Sequence, residues 1–152
     1  NVPLTALAGE RCSPRALFKP NKESSKMRQA VETNLEPINA PLEWAVTMEG
    51  HFYAALIAAR PDGSMDTGNI VSQTKQTMDN LKHCVEAAGG DMDDIAQVTI
   101  YLTDRSDAAK MNETYAPYFS APYPNRATVV ISELMVPGCI IEIVAFGHIK
   151  KK

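Results

Sequence analysis

An amphipathic stripe that ends at two glycines constrains this chain more than any other feature. Its apolar residues recur at spacings of three and four, and Gly89-Gly90 follows the last of them. This period predicts an α-helix with one buried face, and glycine suits the left-handed conformation that often ends a helix. Thr67 or Asn69 can cap the first turn. The stripe consists of Val71, Thr74, Met78, Leu81, Val85 and Ala88.

Strand patterns precede and follow this helix. Before it, an alternating stretch around Val46 and the apolar run His51–Ala59, which ends in a turn cluster, predict a hairpin. After it, Ile95–Leu102 alternates apolar and polar side chains, as a half-buried strand does. The spacing of apolar residues therefore changes from the period of a strand to that of a helix, and then back to that of a strand.

A second helix and two further strands complete the pattern. Ser106 is predicted to cap a helix that Pro117 kinks or ends near Tyr115. Residues 120–125 are predicted to form a loop, followed by strands at Ala127–Ile131 and Ile140–Phe146.

This order predicts an α+β fold, a two-layer sandwich with a mixed β-sheet and two helices on one face. No third helix is left for the other face, so another subunit is its simplest cover. The residues expected to make that face partly apolar are Val129, Ile131, Ile141 and Ile143.

Residues 1–26 show no sustained period and contain prolines and scattered charges. We expect a loosely ordered leader or extension here, with a helical arm as the alternative, before one domain at residues 27–152.

Composition argues against several functional classes. The 152 residues carry a net charge of −3 and no dense run of Lys or Arg, which does not favour nucleic acid as a partner. No apolar run approaches the roughly 20 residues that cross a bilayer. The three cysteines and three histidines are widely spaced. We therefore expect reduced thiols, a cytoplasmic location and no metal site.

Two charges inside the last strands are the candidate site. Glu142 lies in an otherwise apolar strand, where a carboxylate is costly unless it meets a partner or a ligand. If the two last strands pair antiparallel around Leu134 or Met135, Arg126 and Glu142 share a face, and Thr128 shares it with them. The pair is either a structural ion pair at an interface or a site. In a site, Arg126 holds a carboxylate and Glu142 activates water, its pKa raised by burial and lowered by Arg126.

From about Met27 onward, the chain resembles the RidA/YjgF family of reactive-intermediate deaminases. The matching stretches occur in order along the chain. They are residues 71–81, Glu86-Ala87-Ala88-Gly89, residues 94–104, Met111-Asn112-Glu113-Thr114-Tyr115, Tyr118-Phe119, residues 124–129 and Ile141-Glu142-Ile143-Val144-Ala145.

The resemblance implies a RidA/chorismate-mutase-like homotrimer with clefts between subunits and no cofactor. It implies hydrolytic deamination of 2-imino and 2-enamino acids to 2-keto acids and ammonia. The family's carboxylate-binding arginine falls on Arg126 and its water-orienting glutamate on Glu142. Thr128 takes the place of a frequent Cys or Thr, and Asn112 and Tyr115 match a helix near the cleft, where trimer packing is an alternative role.

Two departures from the family pattern keep a second function open. The family's cleft tyrosine is replaced at Leu42, and its Ser-Gly-Gln stretch falls in Ala54–Ala58. Both changes make the expected pocket more apolar. They indicate a bulkier or more hydrophobic substrate, weakened deaminase activity, or a non-catalytic trimeric binding module for small carboxylate metabolites. A chaperone-like role has no signature of its own here.

Overall fold

The computed structural model describes residues 27–150; the predicted leader at 1–26 lies outside them. The predicted order of strands and helices is confirmed, with one short strand added at its start. The elements are β1 (Gln29–Ala30), β2 (Ala45–Met48), β3 (His51–Leu56), α1 (Ile70–Ala87), β4 (Ile95–Leu102), α2 (Ala108–Tyr115), β5 (Asn125–Val130) and β6 (Ile141–His148).

Helix α1 begins and ends where the sequence predicts. The Asn69 side chain accepts a hydrogen bond from the backbone N–H of Ser72, which caps the first turn. At the other end Gly89 has φ +89°, the left-handed conformation that glycine adopts without strain. The predicted stripe is wrong at Val71, which is 43% exposed, because the buried face begins one residue earlier at Ile70.

Helix α2 begins later than predicted. The Ser106 cap is wrong: Asp104 accepts from the backbone N–H of Ser106 and caps a short 3-10 turn, Arg105–Asp107. Helix α2 follows that turn and has no side-chain cap of its own. It ends at Tyr115, and a second 3-10 turn containing Pro117 continues from it.

The six strands form one mixed sheet in the order β1-β2-β3-β6-β4-β5. Strands β4 and β5 are parallel because α2 carries the chain back across the sheet between them, and the other neighbours are antiparallel. Helix α1 contacts β3 and β6 and also packs on α2, so both helices lie on one face. The predicted two-layer α+β sandwich is confirmed.

The opposite sheet face, here called the open face, is covered by no helix of residues 27–150. Strand β6 turns Ile141, Ile143 and Ala145 into the core beneath the helices, so the prediction that Ile141 and Ile143 lie on the open face is wrong. The alternation of a strand fixes which residues share a face, and packing decides which face is covered. The open face includes Val46, Met48, Tyr53, Tyr101, Val129, Glu142, Val144 and Phe146.

Candidate functional site

Arg126 lies near the start of β5, on the side of the sheet that the helices cover. It stands opposite Val98 of β4, whose side chain is fully buried in the core. Partners in a ladder point to the same face, so Arg126 points toward α2. Its guanidinium carbon lies 4.9 Å from the centre of the Tyr115 ring, a cation–π contact.

A cavity of about 340 Å³ opens beside this guanidinium. Helix α2 contributes residues at positions i, i+3 and i+4, the spacing that places side chains on one face of a helix. The loop before β5 and the start of β5 supply the rest. The lining consists of Asn112, Tyr115, Ala116, Tyr123, Pro124 and Arg126.

The positive charge of Arg126 is available to a ligand. Among residues 27–150, no carboxylate forms an ion pair with it. Asn112, an exposed side chain of the same cavity, can donate and accept hydrogen bonds. A guanidinium with an adjacent amide suits a small carboxylate, which the two-pronged donor geometry of arginine binds well.

Tyr115 forms the floor beneath the guanidinium. Burial raises the pKa of its hydroxyl, and the nearby Arg126 charge opposes part of that rise. The guanidinium lies over the ring face, and the buried hydroxyl has no well-formed hydrogen bond within the described part of the chain. Tyr115 therefore contacts Arg126 through its ring.

Thr128 shares a sheet face with Arg126 but does not line the cavity. It stands opposite Ile100, two residues farther along β5, and its side chain is exposed. It can therefore contact a ligand only where that ligand extends along the strand.

Glu142 lies on the open face, opposite Tyr101 of β4. Its side chain is half-buried, and burial raises the pKa of its carboxyl group. Within residues 27–150 it forms no ion pair and no hydrogen bond through its side chain. A half-buried carboxylate without an ion-pair or hydrogen-bond partner takes up a proton at a higher pH than a solvated glutamate does.

Arg126 and Glu142 do not share a face, so that prediction is wrong. Strand β4 lies between β5 and β6. Arg126 pairs with Val98 of β4 and Glu142 pairs with Tyr101 of β4. Val98 and Tyr101 are three residues apart and point to opposite faces of the sheet. The predicted lowering of the Glu142 pKa by Arg126 is also wrong, since burial alone shifts that pKa. The reason is topological: the parallel crossover places β5 at the sheet edge, while β6 pairs between β3 and β4.

Two tyrosines near these residues were not predicted as site residues. Tyr123 lines the Arg126 cavity from a segment predicted only as a loop. Tyr101 was predicted only to lie on the polar side of its strand, and it stands beside Glu142. The nearby Tyr-Pro-Asn-Arg run could have indicated Tyr123, because it lies three residues before Arg126.

The positions that depart from the family pattern do not line the Arg126 cavity. Leu42 is half exposed, and Ala54, Leu56 and Ala58 are buried in the core. Ala55 of β3 stands opposite Val144 of β6 on the open face. Both of these side chains, which lie near Glu142, are apolar.

A larger cavity of about 830 Å³ lies on the outer surface of the helices. Both lysines that line it already form ion pairs: Lys75 lies 2.6 Å from Asp79, and Lys82 lies 3.8 Å from Glu86. Tyr118 donates a 2.6 Å hydrogen bond to Asp79 as well. We therefore place the candidate site at Arg126 and not in this groove.

The two cysteines of the described residues are buried and do not line the Arg126 cavity. Burial raises the pKa of the Cys84 thiol to about 12 and also raises that of Cys139. Residues 27–150 contain no group of three or more His, Cys, Asp or Glu side chains placed to hold a metal ion. No helix in this range is long and apolar enough to span a membrane.

Comparisons with known proteins identify relatives across most of the chain. A family model described as Endoribonuclease L-PSP matches residues 26–149. A RutC family protein of Pyrococcus horikoshii is 42% identical over 98 residues, which are 64% of this chain and 77% of that protein.

Two solved structures are similar in fold. RidA from the Antarctic bacterium Psychrobacter sp. superposes with a TM-score of 0.73 at 31% identity, covering 80% of this chain and 99% of that one. E. coli TdcF with bound serine also gives a TM-score of 0.73, at 27% identity, with 80% of this chain and 99% of that one covered.

Proposed function

Because the chain belongs to the RidA/YjgF family, we propose that it hydrolyses 2-imino and 2-enamino acids to 2-keto acids and ammonia without a cofactor. The main support for this proposal is the guanidinium of Arg126, which lies in a small cavity and forms no ion pair within residues 27–150. A substrate carboxylate pairs with this guanidinium, and Asn112 hydrogen-bonds to it or to the adjoining nitrogen. The serine bound to E. coli TdcF, which also carries a carboxylate, is consistent with this ligand class.

In the hydrolytic step, Glu142 activates the attacking water. Its carboxylate takes a proton from water as the oxygen attacks the imine carbon, and it gives this proton to the nitrogen, which yields a carbinolamine. The same carboxylate then takes the hydroxyl proton of the carbinolamine and passes it to the nitrogen as the C–N bond breaks, so that the carbonyl forms and ammonia leaves. Imine plus water thus gives keto acid plus ammonia. The raised pKa of Glu142 suits a group that both accepts and donates this proton.

One chain cannot bring both residues to one substrate. Arg126 and Glu142 point to opposite faces, and their backbones lie roughly 10 Å apart across two strand spacings and about 10 Å apart along the strands. We therefore propose a homotrimer in which each cleft takes Arg126 from one copy and Glu142 from a neighbour. The apolar side chains of the open face, Val129 and Phe146 among them, support a second copy as its cover.

Subunit mixing tests this arrangement. Arg126→Ala and Glu142→Gln are purified separately, shown to be inactive toward imines generated by an amino-acid oxidase, and then exchanged in mild denaturant. Random reassembly restores about a quarter of the clefts, since each complete cleft needs one intact residue from each of two neighbours. Keto-acid release at that level supports the shared site. Active single variants or no recovery after verified exchange would refute it.

One other function is an outcome of that experiment. A wild-type protein that binds carboxylates but accelerates no imine hydrolysis is a binding module, which the apolar residues at Leu42 and Ala55, where the family pattern has polar groups, would explain. RNA cleavage, named in the description of the family model, is not favoured by the net charge of −3.

A further inference from the structure

Tyr123 lines the cavity that holds Arg126, and 62% of the residue is exposed. Scattered exposed aromatic residues are ordinary on protein surfaces. This one differs because it lines the same cavity as the only cationic side chain among the lining residues. An exposed aromatic face beside a charged anchor can bind the apolar part of an anionic ligand.

The chain holds Tyr123 in place between two prolines. Pro122 and Pro124 each have a fixed φ, and a residue that precedes proline is confined to extended conformations. Pro124 itself lines the cavity. Little backbone freedom is therefore lost when a ligand packs against the Tyr123 ring, which favours its use as a binding surface.

The rest of the lining is apolar apart from Asn112 and Arg126. Tyr115, Ala116 and Pro124 add ring and methyl surface to that of Tyr123. A cavity of about 340 Å³ is large enough for an amino-acid side chain beyond the carboxylate. Resting on the function proposed above, we infer that Tyr123 is the side-chain specificity residue, and that the substrates are 2-imino acids with aromatic or branched aliphatic side chains.

Three stable carboxylates test this inference without requiring turnover. Propionate, 4-methylpentanoate and 3-phenylpropionate share the carboxylate and differ in the apolar tail. Their dissociation constants are measured by calorimetry for the wild-type protein and for Tyr123→Ser, Tyr123→Phe and Arg126→Ala. The phenylalanine variant is the matched control because it keeps the ring and removes only the hydroxyl.

We expect the wild type to bind 3-phenylpropionate about 10-fold more tightly than propionate, as one aromatic contact allows. Tyr123→Ser should reduce that ratio to about 2-fold, Tyr123→Phe should keep it, and Arg126→Ala should weaken all three acids. An unchanged ratio in Tyr123→Ser, or no binding of any acid by the wild type, would overturn the inference.

The outcome is separable from that of the proposed function. A wild type that prefers the aromatic acid through Tyr123 but hydrolyses no imine supports the specificity residue and refutes the deaminase. A wild type that hydrolyses imines, with a binding ratio that Tyr123→Ser leaves unchanged, supports the deaminase and refutes Tyr123 as the specificity residue.

Discussion

Arg126 and Glu142 lie on opposite faces of one sheet, with β4 between their strands. Arg126 faces helix α2 and stacks on Tyr115, while Glu142 faces the uncovered side beside Tyr101. A catalytic role for both residues at one substrate therefore requires two copies of the chain. Under the proposed function, assembly of the protein is therefore a requirement of its chemistry.

Arg126→Ala should raise the KM for carboxylate substrates about 100-fold, because a charge-assisted contact to the ligand is lost. Arg126→Lys should recover only part of this loss, since lysine lacks the two-pronged donor geometry. Steady-state kinetics with in situ imine generation measures both. Arg105→Ala, at an exposed arginine of the 3-10 turn before α2, is the matched control and should leave KM unchanged. An equal effect of both alanine variants would remove Arg126 from the site.

Glu142→Gln should lower kcat by about 100-fold or more, because the amide cannot accept a proton from water. In the wild type, kcat should rise with pH as Glu142 loses its proton, with a midpoint above the ordinary value of 4.5. Rate profiles from pH 4 to pH 8 measure this. A flat profile in this range would argue against Glu142 as the base.

The same carboxyl group should affect stability with a definite sign. Its folded-state pKa is raised by burial, so the protonated form favours folding, and this contribution is lost as pH rises through the folded-state pKa. Glu142→Gln should therefore match the wild type at pH 4 and become the more stable protein as pH rises. Urea unfolding at both ends of the range measures the difference. Glu113→Gln, at an exposed position, is the control and should show a smaller change.

Gln73 should be essential to the connection before β6. Its buried amide donates to Gly68 O at 3.1 Å and Gly138 O at 2.8 Å, and it accepts from Ile140 N at 3.0 Å. Gln73→Leu leaves these groups unpaired and should lower the free energy of unfolding by about 2–4 kcal/mol. Urea denaturation measures this. Gln97→Leu, which removes an exposed hydrogen bond, should cost less than about 0.5 kcal/mol.

Assembly should depend on the open face. Val129→Asp places a charge on that face and should shift the protein toward monomer in sedimentation velocity runs, since a buried unpaired charge opposes association. Val71→Asp is the matched control, because Val71 is 43% exposed on α1 and Val129 is 40% exposed on β5. The same sedimentation profile for both variants would place the interface elsewhere.

Local patterns in the sequence were sufficient to predict every element of this fold except the short strand β1. The helical period and Gly89 placed α1, and the alternation of Ile95–Leu102 placed β4. These predictions are correct because helix and strand periods arise from the geometry of near neighbours in the chain. The error at Val71 is one residue, because Ile70 is the buried position, and the error at Ser106 is two residues, because Asp104 is the cap.

Strand pairing was not determined by the same patterns. The assumption that consecutive strands pair led to an Arg126–Glu142 contact, whereas the parallel β4–α2–β5 crossover leaves β6 to pair between β3 and β4. Tyr123 was missed for the same reason, because only the return of β5 beside α2 brings the preceding loop to Arg126.

Local sequence patterns were enough to predict the two helices, the principal strands and the family resemblance, and to select two charged residues as candidates. The three-dimensional arrangement was needed to show that Arg126 lies in a cavity with Asn112 and Tyr123, and that Glu142 lies on the other side of the sheet. Side-chain periodicity records which residues share a face within one element. The pairing of distant strands, and the choice of the face that the helices cover, depend on contacts between residues far apart in the chain.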